Sequence, residues 1–335
     1  MIIDKVKLTN FRNHTDFCQV CKKDTTLIIG ENGCGKTSIL EAIYILTRGK
    51  SFRAVDAEIL KRGSDFYRIE LITETGEKRI ATYDGNNKNF LIADKKSRRL
   101  LKNHKYPIII FLPSDLNIIS GSPSSHREYF DRFFSQLDEE YSVSLSRYEK
   151  ALRQRNEILK SDNPSSHSLF SWNILLAKYG TYINKVRKRL IEEINQNLSD
   201  TYFSIANKKD DITISYKTDV TFENENQYLN ILESNVTKDI YLGHTSFGVH
   251  RDDFIFVFNG EPANGSASRG ESRSVILALK FIEANMITNK LNQKPIILLD
   301  DVFSDLDQIR RQSLVKNFKN NQIIITSVEN IDLNF

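Results

Sequence analysis

The chain has only three cysteines among its 335 residues, too few for a disulfide framework. Two of them form a single Cys18-x-x-Cys21 pair, and the third is Cys34. A zinc site of this spacing normally needs a second pair of ligands. We therefore interpret Cys18 and Cys21 as ordinary strand residues in a reducing compartment, and we expect neither a zinc centre nor a disulfide-stapled secreted fold.

The sequence also lacks long apolar runs. No stretch approaches the roughly 20 residues that a membrane-spanning helix needs, and the segment MIIDKVKLTN at the start has no apolar core of a signal peptide. We therefore expect a cytoplasmic protein with no membrane partner. The net charge of +4 is too small to indicate nucleic-acid binding by itself. The length is sufficient for a sizeable core and two lobes.

The segment Gly30 to Thr37, GENGCGKT, matches the phosphate-binding P-loop in spacing and in context. A β-branched run before it predicts a buried strand over 25–29, and the apolar spacing after it predicts a helix over 38–46. Glycines in such a loop let backbone N–H groups converge on phosphate oxygens at the helix N-terminus. The predicted nucleotide-binding residues of the loop are Gly30, Glu31, Asn32, Gly33, Cys34, Gly35, Lys36, Thr37 and Ser38.

A second motif completes such a site. Pro295 to Asp301, PIILLDD, predicts a central strand that is buried on both faces and closed by two acids. Beside a P-loop this pattern is typical of a Walker B strand. Asp300 and the Thr37 hydroxyl would bind Mg²⁺, while Lys36 would reach the β- and γ-phosphates of ATP. Asp301 would orient or deprotonate the attacking water, so Lys36 and Asp301 are the predicted catalytic residues.

Strand and helix patterns divide the chain into three segments. Residues 1–112 alternate apolar and polar positions and include a predicted antiparallel meander over 66–94. Residues 113–235 contain two apolar series at helical spacing, over 130–152 and 169–198, with a turn over 161–166 between them. We therefore predict an α/β fold in which a helical arm, 113–235, is inserted into a lobe formed by 1–112 and 236–335.

Positive charge is concentrated in the arm. Residues 147–190 carry ten Lys or Arg against three Asp or Glu. The run Lys95 to Lys105 carries six Lys or Arg and no acid, and a solvated loop explains it as well as a phosphate-contacting face does. The candidate DNA contacts in these two regions are Lys95, Lys96, Arg98, Arg99, Lys185, Arg187, Lys188 and Arg189.

Two short motifs flank the Walker B strand. Ser268 with Glu271 three residues later fits an ordinary helix capping box. In this position, however, Ser-Arg-Gly-Glu resembles the signature motif of ABC-type ATPases. That resemblance implies that Ser268, Arg269, Gly270 and Glu271 form a signature acting towards the opposite subunit. Its serine, its glycine and the helix N-terminus would bind the γ-phosphate of the nucleotide there. Ser304, Asp305 and Asp307 similarly resemble the D-loop of that class.

Five segments together resemble the RecF family of bacterial recombination-repair ATPases, of the SMC and Rad50 type. They are residues 10–13 (NFRN), 30–37, 121–131, 248–253 (GVHRDD) and 268–271 with the Walker B acids. The resemblance implies an ABC-type P-loop ATPase head with a short helical arm. It also implies ATP and Mg²⁺ as cofactors and an ATP-dependent homodimer. The implied partners are double-stranded DNA, single-strand to double-strand junctions, RecR and RecO.

The same resemblance implies roles for single residues. Arg12 and Asn13 would contact the nucleotide, and Arg53 would link DNA contact to hydrolysis, although an ordinary surface arginine explains Arg53 equally well. The chain departs from the family pattern in its loops. Val249 replaces a proline, His126 an arginine and Asp305 a glutamate, while Thr326 occupies the position of the switch histidine of ABC transporters.

The sequence thus predicts a weak ATPase whose head-to-head dimer clamps DNA at gaps, and whose hydrolysis resets the clamp while it helps to load recombinase. One alternative is a DNA-binding scaffold that ATP assembles with negligible turnover. Another is a different SMC-like or ABC-type ATPase subunit, including that of a membrane transporter. The basic helical insertion and the lack of a recognisable Gln-loop argue against a transporter.

Overall fold

The protein is described by a computed structural model over residues 1–161, 164–218, 222–303 and 306–330. The chain divides into two compact units, one formed by Met1–Ser114 with the chain from Ala284 onward, the other by Asp115–Glu283. The first division lies close to the predicted residue 112. The second lies at 283 and not at the predicted 235, because strands over 212–217 and 253–258 pair within the second unit.

Residues 1–114 are mostly strands. They are β1 (Ile3–Phe11), β2 (His14–Val20), β3 (Thr25–Ile29), β4 (Tyr67–Thr73), β5 (Lys78–Tyr83), β6 (Lys88–Ile92), β7 (Lys95–Ser97) and β8 (Ile108–Phe111). The helical elements are α1 (Lys36–Arg48), the single turn α2 (Asp56–Ile59) and a 3₁₀ turn at Lys102–His104.

The rest of the chain is mostly helical. After a 3₁₀ turn at Pro113–Leu116 come α3 (Asn117–Ser120), α4 (Pro123–Leu137), α5 (Glu139–Leu159), α6 (Ser166–Ala206), β9 (Ile212–Lys217), α7 (Glu225–Ser234) and α8 (Val236–Leu242). They are followed by β10 (Asp253–Phe258), β11 (Glu261–Pro262), α9 (Ala263–Ser266), α10 (Arg269–Leu291), β12 (Ile296–Asp300), α11 (Gln308–Phe318) and β13 (Ile323–Ser327).

The predicted P-loop strand, meander and Walker B strand are confirmed as β3, β4 to β6 and β12. The first apolar series of the arm is not one helix, as its spacing indicated, but two. Asp138 has an extended backbone between α4 and α5, and its side chain accepts a hydrogen bond from the Tyr141 backbone to cap α5. The predicted turn over 161–166 includes residues 162–163, which lie outside the described residues.

Two sheets share the core of the first unit. One is antiparallel with strand order β2-β1-β4-β5-β6-β7, and the other is parallel with strand order β3-β13-β12-β8. Helix α1 contacts strands of both sheets and is buried from Ser38 to Thr47. A helix buried on every side is expected to be apolar on every side, as SILEAIYIL is apart from Ser38 and one acid. The carboxyl ends of β3 and β12 therefore lie at one edge of the parallel sheet.

In the second unit, the antiparallel pair α5 and α6 forms the arm, and α4 packs on the sheet β11-β10-β9. The GVHRDD segment joins these elements. Asp252 accepts from the buried Arg187 at 3.3 Å, and Arg187 also pairs with Asp131 of α4 at 2.8 Å. Asp253 lies 2.7 Å from His126. The segment, whose role the sequence did not indicate, therefore holds α4, α6 and β10 together.

His250 of the same segment lies in a buried hydrogen-bond chain. Its Nε2–H donates to the Thr245 carbonyl at 3.1 Å, so Nδ1 accepts from the Tyr148 hydroxyl at 2.8 Å. The Tyr148 hydroxyl is in turn 3.0 Å from that of Tyr228. Burial lowers the pKa of His250 to about 4, and Arg251 acts in the same direction. His250 is therefore neutral at physiological pH.

We expect acid to destabilise the fold through His250. The unfolded chain protonates histidine near pH 6.5, whereas folded His250 does so near pH 4. Its contribution is therefore complete above pH 6.5 and is lost as the pH falls towards 4. One such proton changes the free energy of unfolding by up to about 1.4 kcal/mol per pH unit. Urea unfolding across this window should show a shallower decline for His250→Gln than for the parent, and parallel declines would exclude His250 as the cause.

Candidate nucleotide-binding site

The P-loop joins β3 to α1 at the carboxyl edge of the parallel sheet. Gly33 and Gly35 have φ angles of 82° and 102°, a region that residues with a Cβ avoid. A Cβ on Gly35 would also collide with the ring of His14. Glycine at position 35 is therefore required by backbone conformation and by space.

Lys36 folds back over the loop. Its Nζ donates to the carbonyl oxygens of Gly30 at 2.6 Å and Glu31 at 2.9 Å. The side chain is buried within the first unit, so its positive charge is held inside the loop that the sequence predicts to bind phosphate. An ammonium group in this place is a point charge with further donor capacity towards a phosphate oxygen.

The turn between β1 and β2 supports the loop from outside. Asn13 Nδ2 donates to the Gly33 carbonyl at 2.9 Å, and His14 Nε2–H donates to the Gly35 carbonyl at 3.1 Å. Arg12 and Asn13 are the two residues between the paired Phe11 and His14. The NFRN segment thus lies beside the P-loop, and the predicted nucleotide contacts Arg12 and Asn13 both line the same cavity as the loop.

The acids at the end of β12 face the start of α1. Thr37 Oγ1 donates to the carboxylate oxygens of Asp300 at 2.8 and 2.9 Å. Thr326 of β13, which the sequence left without a role, also donates to Asp300, at 2.9 Å. The backbone N–H of Asp301 bonds to Thr326, and Asp301 itself has a φ of 50°. The structure therefore brings the predicted metal ligands Thr37 and Asp300 together and places Asp301 beside them.

These oxygen atoms fit Mg²⁺. A hydroxyl and a carboxylate are the hard donors that Mg²⁺ prefers, and the ion usually keeps several waters and substrate phosphates as its other ligands. Within the described ranges, no cluster of three or more His, Cys, Asp and Glu side chains could hold a metal by itself. The donor set thus suits an ion that arrives with a nucleotide better than a resident structural metal.

A buried carboxylate that sequence reasoning missed lies behind this site. Glu41 of α1 accepts hydrogen bonds from Arg12 at 2.8 and 2.9 Å, from Arg53 at 2.9 Å and from Ser51 at 2.6 Å. Its side chain is 0% exposed. The available signal was an acid inside the otherwise apolar run SILEAIYIL, where a charge must find partners.

A cavity of about 540 Å³ opens beside the P-loop, within the usual range for small-molecule sites. Its ionised lining is balanced between three cations and three acids: Arg12, Lys36, Arg53, Glu58, Asp300 and Asp301. All of the lining residues belong to the first compact unit. The first unit alone therefore contains a cavity that brings together the predicted phosphate-binding and metal-binding residues.

The signature residues lie in the second unit and form the capping box that was the alternative explanation. Ser268 N and Oγ donate to the Glu271 carboxylate at 2.9 and 2.7 Å, and Glu271 N donates back to Ser268 Oγ at 3.3 Å. These bonds, with the Lys208 ion pair at 3.1 Å, lower the pKa of Glu271 to about 2. Arg269 and Gly270 start α10, so a role towards another subunit stays a prediction.

The predicted D-loop is only partly described. Ser304 and Asp305 lie outside the described residues. Asp307 caps α11, since its side chain accepts from the Arg310 backbone at 2.9 Å.

The candidate DNA contacts are exposed with one exception. The exposed residues are Lys95, Lys96, Arg98, Arg99, Lys185, Lys188 and Arg189. The prediction for Arg187 is wrong, because its side chain is 1% exposed and is paired with Asp131 and Asp252. Position 187 follows Ile183 and precedes Leu190 on the inward face of α6, so the run KVRKR alternates between two faces of the helix. Arg53 is 37% exposed and points to Glu41.

Comparison with known proteins gives the family. Residues 1–334 match the AAA ATPase domain family. The chain is 35% identical to the DNA replication and repair protein RecF of Natranaerobius thermophilus, over 100% of this chain and 93% of that protein. It is 33% identical to the RecF protein of Clostridium novyi, over 99% of this chain and 94% of that one. The chain belongs to the RecF family.

The fold of this RecF-family chain agrees with that assignment. A solved structure of the recombination mediator protein RecF-ATP in the RecFOR pathway matches it with a TM-score of 0.89. That structure is 29% identical and is matched over 99% of this chain and 93% of its own. The predicted α/β fold with an ABC-type P-loop ATPase head is therefore confirmed. Within the described part of the chain, no helix has the length and apolar character needed to cross a membrane.

Proposed function

We propose that this RecF-family protein is a slow, Mg²⁺-dependent ATPase of DNA repair that binds DNA as an ATP-assembled dimer. The observation that carries the ATPase proposal is the contact of Thr37 Oγ1 with the Asp300 carboxylate at 2.8 Å, beside the glycine-rich loop that holds Lys36. The relatives support the proposed role in DNA repair, since they are named as DNA replication and repair proteins.

In the proposed reaction each group has a task. The P-loop amides at the start of α1 and Lys36 would bind the phosphates of ATP. Thr37 and Asp300 would hold Mg²⁺, which when bound supplies charge stabilisation at the transferred phosphoryl group. Asp301, at the end of β12, would orient the attacking water and take its proton.

Two substitutions should separate binding from chemistry. Lys36→Ala removes a charged phosphate contact present in the ground state, so ATP affinity should fall at least about tenfold. Asp301→Asn should keep ATP affinity and slow hydrolysis about a hundredfold, because its role is confined to the transition state. Titration with a fluorescent ATP analogue and a phosphate-release assay measure the two effects.

The exposed Lys50, just past α1, offers a matched control, since Lys50→Ala removes the same charge outside the cavity. Hydrolysis by Asp301→Asn at the parental rate would contradict the assignment of Asp301. A parent that binds ATP but releases no more phosphate than Asp301→Asn would instead favour the scaffold alternative.

The dimer proposal depends on the signature residues. Ser268 and Glu271 stand at the start of α10, a 23-residue helix whose N-terminal amides favour an anion. In the proposed dimer the Ser268 hydroxyl, Gly270 and the helix N-terminus would contact the γ-phosphate bound by the P-loop of the partner subunit. ATP would then be part of the interface, and the heads would separate after hydrolysis.

Ser268→Arg should block the dimer and leave a folded monomer that binds ATP, although loss of the Ser268 cap costs the monomer about 1 kcal/mol of stability. The exposed position accepts a large side chain in the monomer, but a bulky cation would occupy the space of the partner's phosphate. Light scattering should therefore give an ATP-dependent dimer for the parent and a monomer with parental ATP affinity for the variant. Ser268→Gly, which adds no bulk, separates steric exclusion from loss of the hydroxyl. A parent that dimerises without ATP, or a Ser268→Arg dimer, would refute the composite site.

The DNA proposal depends on exposed positive charge. Lys185, Lys188 and Arg189 lie on the exposed side of α6, and Lys95 and Lys96 lie on the edge strand β7. Such groups bind phosphates without reading bases, so recognition of gaps and junctions would depend on DNA shape. RecO and RecR are the proposed partners, because the similar solved structure belongs to the RecFOR pathway, and loading of recombinase is the proposed outcome.

The salt dependence of DNA affinity should identify the contact surface. Replacing Lys185, Lys188 and Arg189 by Gln keeps good helix formers in α6. If all three side chains meet phosphates, the log–log salt slope should fall by up to about 2.7, at about 0.9 per contact. The matched variant replaces Lys95, Lys96 and Arg98 by Gln, and ATP is held saturating in both. Parental slopes in both variants would exclude both surfaces.

A further inference from the structure

Glu41 connects two arginines to the nucleotide cavity. Its Oε1 accepts from Arg12 at 2.8 Å and from Ser51 at 2.6 Å, while its Oε2 accepts from Arg12 at 2.9 Å and from Arg53 at 2.9 Å. Both arginines line the cavity, whereas Glu41 lies behind them and is 0% exposed. Burial would raise the pKa of Glu41, but the bonds from the two arginines and Ser51 outweigh burial and lower it.

Arg12 is held firmly. Its guanidinium binds both oxygens of Glu41 and also donates to the Glu58 carbonyl at 3.0 Å. Its backbone has a φ of 53°, and its N–H donates to the Ile59 carbonyl at 2.8 Å. A left-handed conformation is costly for a side chain of this size and persists only where the surroundings fix it. The structure thus fixes Arg12 from both backbone and side chain.

Arg53 is held loosely. One nitrogen of its guanidinium donates to Glu41, and its side chain is 37% exposed against 21% for Arg12. If Arg53 left, both oxygens of Glu41 would keep a bond from Arg12, and Ser51 would remain as well. The buried carboxylate would therefore not be stranded. Moving Arg53 gives up one hydrogen bond and a contact with the Phe52 ring at 5.8 Å, so it costs less than moving Arg12.

We propose that Glu41 is a positioning residue with two roles. It fixes Arg12 at the phosphate cavity, and it binds Arg53 in a way that lets an anionic ligand in the cavity take Arg53 over. The inference rests on the proposed binding of ATP. An anion in the cavity competes with Glu41 for Arg53 but cannot displace the bidentate Arg12. One carboxylate therefore gives the site one permanent and one exchangeable guanidinium.

A double-mutant cycle tests the coupling between Glu41 and Arg12. Gln at position 41 keeps the shape but presents an N–H to the guanidinium, so it cannot hold both nitrogens of Arg12. We expect Glu41→Gln and Arg12→Gln each to weaken binding of a fluorescent ATP analogue about tenfold. The double variant should bind about as well as either single variant, since both remove the same interaction.

Asp65→Asn is the matched control. Asp65 is an exposed acid of the first unit that does not line the cavity. Loss of its charge should leave ATP affinity at the parental value, because the charge is removed outside the cavity. If the effects in the cycle add, or if Glu41→Gln lowers the unfolding temperature while ATP affinity stays parental, Glu41 is merely structural. A parent that fails to bind ATP would refute the proposed function instead.

Variants of Arg53 and Arg12 give a second test, which does not depend on whether the Glu41→Gln variant folds. Arg53→Gln should unfold at the parental temperature and bind the ATP analogue more weakly, whereas Arg12→Gln should both unfold earlier and bind more weakly. This difference follows from the one and three side-chain bonds that the two guanidinium groups make within the described structure. Parental ATP affinity in Arg53→Gln would show that the ligand does not recruit it and would overturn the proposal.

Discussion

The pairing of β13 with both of its neighbours is the constraint on which the nucleotide site depends. Thr326 of β13 lies opposite Asp300 of β12 on one side and opposite Ile28 of β3 on the other. Because side chains alternate along a strand, a slip of one residue in either pairing would turn its side chains to the opposite face. This register lets Asp300 accept from Thr37 and Thr326 together. Two motifs 263 positions apart in the chain become one site through a strand that carries neither.

The sequence predicts those parts of the site that consist of contiguous residues. Strand, glycine loop and helix follow one another in the P-loop, and the two acids end an unbroken apolar run. Thr326 carries no such local signal, and Glu41 carries only that of an acid inside an apolar run, because their roles come from partners on other strands and loops. Arg187 shows the opposite error: the cations near it in sequence, Lys185, Lys188 and Arg189, are exposed. The helical period of α6 nevertheless turns Arg187 inward beside Ile183 and Leu190.

Two buried arginines and their acidic partners are part of the interior of the second unit. Arg155 is 0% exposed and binds Asp239 at 2.8 Å, Thr245 at 2.7 Å and Asn173 at 2.7 Å. Arg187 is equally buried against Asp131 of α4 and the GVHRDD segment. Removing one partner from such a pair leaves a charge without compensation, which typically costs 3–5 kcal/mol. Asp252 and Asp253 of the GVHRDD segment thus contribute to the stability of the unit through their pairs with Arg187 and His126.

The capping box of α10 gives a physical reason why the proposed dimer would require ATP. In the monomer the Ser268 hydroxyl already donates to Glu271, whose charge is also neutralised by Lys208. A phosphate from a partner subunit would have to replace the Glu271 carboxylate as the acceptor of the Ser268 hydroxyl. It would also have to approach the negative charge of Glu271, which the Lys208 ion pair partly neutralises. A hydroxyl satisfied within its own subunit gains nothing from a bare partner surface, since no net hydrogen bond forms. In the proposed dimer, loss of the bond between Ser268 and Glu271 would be offset only by a multiply charged ligand that also binds the N-terminal amides of α10.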